Sequence, residues 1–133
     1  MINVLLVEDQ TMLRDAVSSA IELARLTQNL APVHRDATLG QGGRRLVYGG
    51  HTIGLAQASL ARLLPSLATV VAWHSCDHLN PVFEGDLLAF RATLLAEAEV
   101  ANGRARAYSV LVTVERDGDA VDVIDWRPVV LCR

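Results

Sequence analysis

Asn29 and His34 stand five positions apart on either side of the turn made by Pro32, and a glycine pair, Gly49-Gly50, heads a long apolar run further on. An imidazole exchanges protons near neutrality because its ordinary pKa is about 6.5. Held in a crevice, His34 can serve as a general acid or base, a contribution worth roughly 10²- to 10⁴-fold in rate. Asn29 cannot take a proton, but its carboxamide both donates and accepts hydrogen bonds and so can fix the orientation of a water molecule. Gly50, at the start of a helix, can present its N–H to an oxygen that gains negative charge, where a side chain would block close approach. Each has a structural alternative: a loop histidine bonded to backbone, an Asn capping the end of a helix, a glycine that lets helix and sheet pack tightly.

Further candidates surround this group. His51 follows the glycine pair and can cap the helix or line the site. Arg44 and Arg45 lie in a glycine-rich stretch, 37–45, that reads as a mobile loop; there a cationic fork can meet phosphates or stay solvated. His74, Cys76 and His78 alternate along a strand and so share a face, a composition that metals favour. Steps of about 6–7 Å between such positions are too wide to converge on one ion, so no metal site is expected.

The elements that must position these residues follow from periodicity. Residues 2–7 read as a strand, followed by the acidic pair Glu8-Asp9. Val4 to Val17 alone resembles the opening of a response-regulator receiver, but the second half lacks that fold's alternating strand and helix units, and the chain has no Lys. Ser18 to Leu30 suits a helix, with Ser18 or Ser19 as cap, Glu22 completing a capping box and Pro32 as the stop; Asn29 then falls at the helix end. His51 to Leu64 carries Ile53, Ala56, Leu60 and Leu63 on one stripe with a mostly small or apolar opposite side, which predicts a helix buried on most sides. Strands are expected at Thr69–Cys76, Asp86–Val100, Arg104–Arg116 and Ala120–Cys132, the last broken near Pro128. Asn102-Gly103 and Asp117-Gly118 are hairpin signals that make the last three a meander. Asp86 reads as turn chemistry at a strand start. The sum is an α+β fold, one long apolar helix wrapped by an antiparallel sheet, in a single domain over 1–133.

Composition narrows the function classes. Hydrophobic residues make up 51% of the chain, which disfavours disorder, and a net charge of −3 argues against general nucleic-acid affinity. All 12 basic residues are Arg, so Schiff-base chemistry is excluded. Cys76 and Cys132 do not make a disulfide framework, and no secretory signal is evident, so a cytoplasmic location is expected. No apolar run is long enough to span a membrane.

Thr27-Gln28-Asn29-Leu30-Ala31-Pro32-Val33-His34-Arg35-Asp36 resembles the hydratase signature of the MaoC-like (R)-specific enoyl-CoA hydratases of the hotdog fold, approximately Thr/Ser-Gly-Asp-x-Asn-Pro-x-His-x-Asp. Here Asn29 replaces the signature's catalytic Asp, and Ala31 its Asn. Mesaconyl-CoA and β-methylmalyl-CoA hydratase/dehydratase-type members look closer, with Thr-x-Asn before the His and Arg-Arg-Leu-Val-Tyr-Gly-Gly-His after it, as in residues 44–51. Pro81-Val82-Phe83-Glu84-Gly85-Asp86 resembles a further family hallmark, and the likeness covers roughly residues 18 to 90. It implies a hotdog fold and reversible hydration of a trans-2-enoyl-CoA, with His34, Asn29 and Gly50 catalytic and Arg44, Arg45, Gly49 and His51 binding substrate. It also implies no cofactor beyond the coenzyme A of the substrate, and pairing with a second copy or a second hotdog subunit, sheet edge to sheet edge. Two rivals stand beside this reading. A hotdog thioesterase usually draws an Asp or Glu from the central helix or its neighbour, whereas residues 52–64 contain no carboxylate, only Gln57. A non-catalytic acyl-CoA-binding or assembly subunit would have kept the fold after losing the Asp.

Overall fold

The computed structural model describes residues 3–6, 16–29 and 31–133, with side chains described for 21–29 and 31–133. Strand β1 (Asn3–Leu6) and helix α1 (Ala16–Leu26) precede three single-turn 3₁₀ helices at Pro32–His34, Ala37–Leu39 and Gln41–Gly43. Helix α2 (Gly49–Leu63) then leads into β2 (Leu67–His78), β3 (Leu88–Val100), β4 (Gly103–Arg116) and β5 (Asp119–Cys132). The strands form one five-stranded sheet in the order β1-β3-β4-β5-β2, antiparallel at every pairing. Glu8-Asp9 and the rest of 7–15 lie outside the described residues.

Alternation builds the core. Tyr108, Val110, Val112 and Val114 on β4 are buried, as are Leu88, Phe90 and Ala92 on β3; with fully buried Trp126 of β5 they meet Ala56 and Leu60 of α2. Full burial of side chains of this size stabilises by about 1.5–3 kcal/mol each, which holds the helix against the sheet. The expectation that α2 is buried on most sides is corrected: Gly54, Gln57, Ala58, Ala61 and Arg62 are exposed along one face.

The tight turns have physical reasons. Asp117 (φ 54°) and Gly118 (φ 87°) are both left-handed, the geometry a two-residue hairpin between Arg116 and Asp119 requires. The β3–β4 loop is Ala101-Asn102, one residue earlier than expected; Gly103 already pairs with Val100, and a Cβ there would overlap the Cys132 carbonyl. The break expected at Pro128 does not end the strand. Pro128 keeps its place opposite Trp73 of β2, while the β4–β5 pairing lapses between Ala107↔Val129 and Val110↔Trp126, where proline offers no N–H.

Helix α1 starts and stops earlier than its sequence suggests. Ser18 and Ser19 lie inside it rather than capping it. It ends because Gln28 adopts φ 55°, with the Thr27 N–H donating to Leu23 O (2.9 Å) and the Gln28 N–H to Arg25 O (3.1 Å). Pro32 instead opens the next 3₁₀ turn, where its fixed φ suits the first position.

Candidate active site

A crevice of about 680 Å³ opens between the segment from Asn29 to His34, the start of α2 and the end of β2. Its wall beyond β2 is held by a β-bulge. The register shift between Val112 and Thr113 leaves Val123 as the extra residue of β5, and the Val123 carbonyl accepts from Leu79 N–H at 2.9 Å. Asn80 Nδ2 donates to Asp122 O at 2.8 Å, fixing the next residue along.

His34 closes the 3₁₀ turn after Pro32, is half-buried and lines the crevice. Its Nδ1 lies 2.9 Å from Leu46 O. A carbonyl only accepts, so Nδ1 carries the hydrogen and donates; Nε2 of the neutral ring is then the lone-pair nitrogen. Leu46 is itself fixed, its N–H donating to Val33 O at 3.1 Å and its backbone bridging to Phe83. The Tyr48 ring stands edge-on to the imidazole with centroids 6.0 Å apart.

Asn29 follows left-handed Gln28 and lines the same crevice. The last turn of α1 is closed by Thr27 and Gln28, so Asn29 does not serve as the helix cap. Gly49 and Gly50 form the first turn of α2, behind an N-cap residue, Tyr48, that makes no side-chain capping bond. Among the described residues neither glycine N–H has a backbone acceptor, leaving two donors at the positive end of the helix. The space above them is already used. A Cβ on Gly49 would overlap the His78 imidazole, and one on Gly50 would come within 2.6 Å of the Tyr48 ring.

No family model matches the chain. Mesaconyl-CoA hydratase of Cereibacter sphaeroides is 44% identical over 78 residues, 59% of this chain and 23% of that protein. A double-hotdog protein of Mycobacterium tuberculosis is 48% identical with a TM-score of 0.75, over 84% of this chain and 34% of its own. A structure from Chloroflexus aurantiacus described as a MaoC domain dehydratase is 28% identical with a TM-score of 0.76, over 87% of this chain and 38% of its own. The chain has the hotdog fold and is similar to MaoC-like dehydratases. It spans under a quarter of the length of the curated relative and little more than a third of each of these solved structures.

Within this hotdog fold, the residues anticipated from sequence divide into two groups. His34, Asn29, Gly49 and Gly50 come together on the crevice. Arg44, Arg45 and His51 are not among its lining residues. Arg44 Nη1 donates to Asp86 at 2.8 Å, Arg45 Nη1 donates to Glu84 at 2.9 Å, and the Arg44 guanidinium lies 4.8 Å above the Phe83 ring. Neither arginine is simply solvated, and the stretch 37–45 is no loose loop: Asp36 caps its first turn by accepting from Thr38 N–H at 2.9 Å, and the arginines clasp its end. Asp86 does more than shape a turn; it accepts from Phe83 N–H, Arg44 and Arg116.

His74, Cys76 and His78 do not form a regular row, because the register shift between Trp73 and Ser75 puts a bulge at His74. No group of three or more His, Cys, Asp or Glu side chains suited to a metal occurs among the described residues. Sequence reasoning passed over Tyr48 and Thr52 as crevice residues. Thr52 is 1% exposed and its hydroxyl has no partner among the described residues. A polar residue on the apolar stripe of α2 was the available signal. No described helix is long and apolar enough to cross a membrane.

His51 has a structural consequence instead. Burial lowers its pKa, and its Nδ1 has no partner among the described residues. Both states are neutral well above the ordinary value of 6.5, and below it the unfolded chain binds the proton first. Stability is therefore expected to decline as pH falls from about 6.5 toward the lower folded pKa. The His51→Gln variant should show a shallower loss of urea midpoint between neutral and mildly acidic pH; an unchanged slope would assign the acid sensitivity elsewhere.

Proposed function

We propose that this chain forms a hydration site for 2-enoyl-CoA thioesters, run reversibly as dehydration of the 3-hydroxyacyl form. The observation that carries the reading is the His34 ring, held through Nδ1 so that Nε2 is its basic nitrogen, in a crevice shared with Asn29 and two helix-end N–H groups that have no backbone acceptor among the described residues. Nε2 takes a proton from water as its oxygen bonds to the β-carbon. The double-bond electrons move to the thioester oxygen, where Gly50 N–H stabilises the enolate, and a proton is then delivered to the α-carbon. Asn29 holds the water in line. The thioester acidifies the α-carbon, so the reading calls for no metal or redox cofactor.

Hydrolysis finds less support, since neither residues 52–64 nor the described crevice lining includes an Asp or Glu. The activities named for relatives make mesaconyl-CoA the first thioester to try beside crotonyl-CoA. The double-hotdog relative also favours a second hotdog, from another copy or another subunit, along β2. That strand is an edge of the sheet, with Val71 56% and Trp73 52% exposed, so edge-to-edge joining would cover both.

The test is turnover in H₂¹⁸O: the expected product carries one ¹⁸O at C3 with the thioester intact, whereas label in a free carboxylate would point to hydrolysis. Asn29→Ala is expected to lower turnover about 10²-fold or more with the urea midpoint preserved. Unchanged turnover in that variant would remove Asn29 from the mechanism.

A further inference from the structure

The described crevice lining contains three side chains that can titrate, His34, Tyr48 and His78. Hydration by His34, Asn29 and Gly50 leaves His78 without a role. His78 ends β2 opposite Ile124, on backbone continued by the Leu79 N–H to Val123 O bond, so its Cα is fixed while its side chain remains exposed. Its ring rests against Gly49, in the volume that any Cβ at that position would take. An imidazole is thus set beside the first turn of α2, next to the N–H donors, in the crevice that Asn29 and His34 also line.

We propose that His78 is a second catalytic residue of this crevice, the one that exchanges a proton with the α-carbon. This rests on the hydration reading. A carbonyl received by the Gly50 N–H would bring the α-carbon, one bond from the carbonyl carbon, beside the first turn of α2 where the His78 ring stands, and would leave the β-carbon and its water to His34 and Asn29. Water gives its proton to His34 Nε2 as the C–O bond forms, and the electron pair passes to the thioester oxygen. The collapsing enolate takes a proton from the His78 imidazolium. His34 then loses its proton to solvent and His78 regains one, so the net change is addition of one water. The division gives the crevice a second proton carrier where Asn29 has none to offer. It also explains Gly49 apart from Gly50: the first makes room for the acid, the second supplies the oxyanion donor.

Rates of crotonyl-CoA hydration against pH, for the native protein, His78→Gln and His78→Ala, test this. His34 must be neutral and His78 protonated, so the native profile should fall on both sides, and His78→Gln should lower kcat by about 10²-fold with little change in KM and remove the alkaline limb. Other titratable groups near this end of the molecule are His34, Tyr48, His51, Asp77, Asp122 and Asp125, and Tyr48→Phe should keep the limb. His78→Ala leaves a space above Gly49, and added imidazole should restore activity to it. A His78→Gln enzyme with native kcat and an intact alkaline limb, while His34→Ala is inactive, would overturn this inference alone. A native protein that consumes no enoyl thioester would overturn the hydration reading and this inference with it.

Discussion

Replacing His34 with alanine is expected to lower turnover of an enoyl thioester by about 10²- to 10⁴-fold, the range for loss of a positioned acid or base. The fold should survive. The ring is half-buried and, among the described residues, bonds to Leu46 O, so the structural loss is about 1 kcal/mol, from one unsatisfied carbonyl near the surface. His34→Gln separates the two effects: an amide N–H can still reach Leu46 O, yet no proton can be exchanged, so stability should recover while kcat does not. Thermal unfolding alongside steady-state rates makes the comparison. A His34→Gln enzyme with near-native kcat would mean that the histidine only braces the loop.

The largest effect on stability is expected at Asp86, far from any proton transfer. Its side chain is 3% exposed and accepts from Arg44 at 2.8 Å, from Arg116 at 2.5 Å and from Phe83 N–H at 2.9 Å. Arg116 also donates to Pro81 O at 2.6 Å, and both guanidiniums lie over the Phe83 ring. Asp86→Ala leaves that N–H without a partner and two cations without their anion. Removing one partner of a fully buried pair costs about 3–5 kcal/mol; here Arg44 is 47% exposed and can return to water, which brings the expected loss to about 2–4 kcal/mol. The urea midpoint should fall with little change in slope. Asp86→Asn, which keeps an acceptor for Phe83 N–H, should recover part of the loss, and a midpoint within error of native for Asp86→Ala would show the clasp to be incidental. Because Phe83 bridges to Leu46, and Leu46 O receives His34, the variant should also raise the turnover defect beyond what unfolding explains.

The sheet and its central helix were legible because their signals are local. Alternating burial along β4 and the two-residue turns are written within a few positions of one another, and so is the stripe of α2. The end of α1 was not legible, since a left-handed Gln28 carries no propensity signal that outranks Pro32. In the crevice, Asn29, His34 and the glycine pair could be picked out by spacing. The fate of Arg44 and Arg45 could not, because their carboxylate partners lie 42 and 39 positions away and become partners only once the chain folds back. His78 was picked out only for the face it shares with Cys76; its place against Gly49, 29 positions away in sequence, emerges only once β2 packs beside α2.

The measurement that tests the central claim most directly follows the absorbance of the conjugated enoyl thioester of crotonyl-CoA with the native protein, while free thiol is assayed in the same cuvette. Absorbance should fall with no thiol released, and a 3-hydroxyacyl-CoA added from the other side should restore part of it. Thiol appearing in step with the absorbance loss, or a folded protein that binds the thioester and leaves its spectrum unchanged, would contradict the hydration reading.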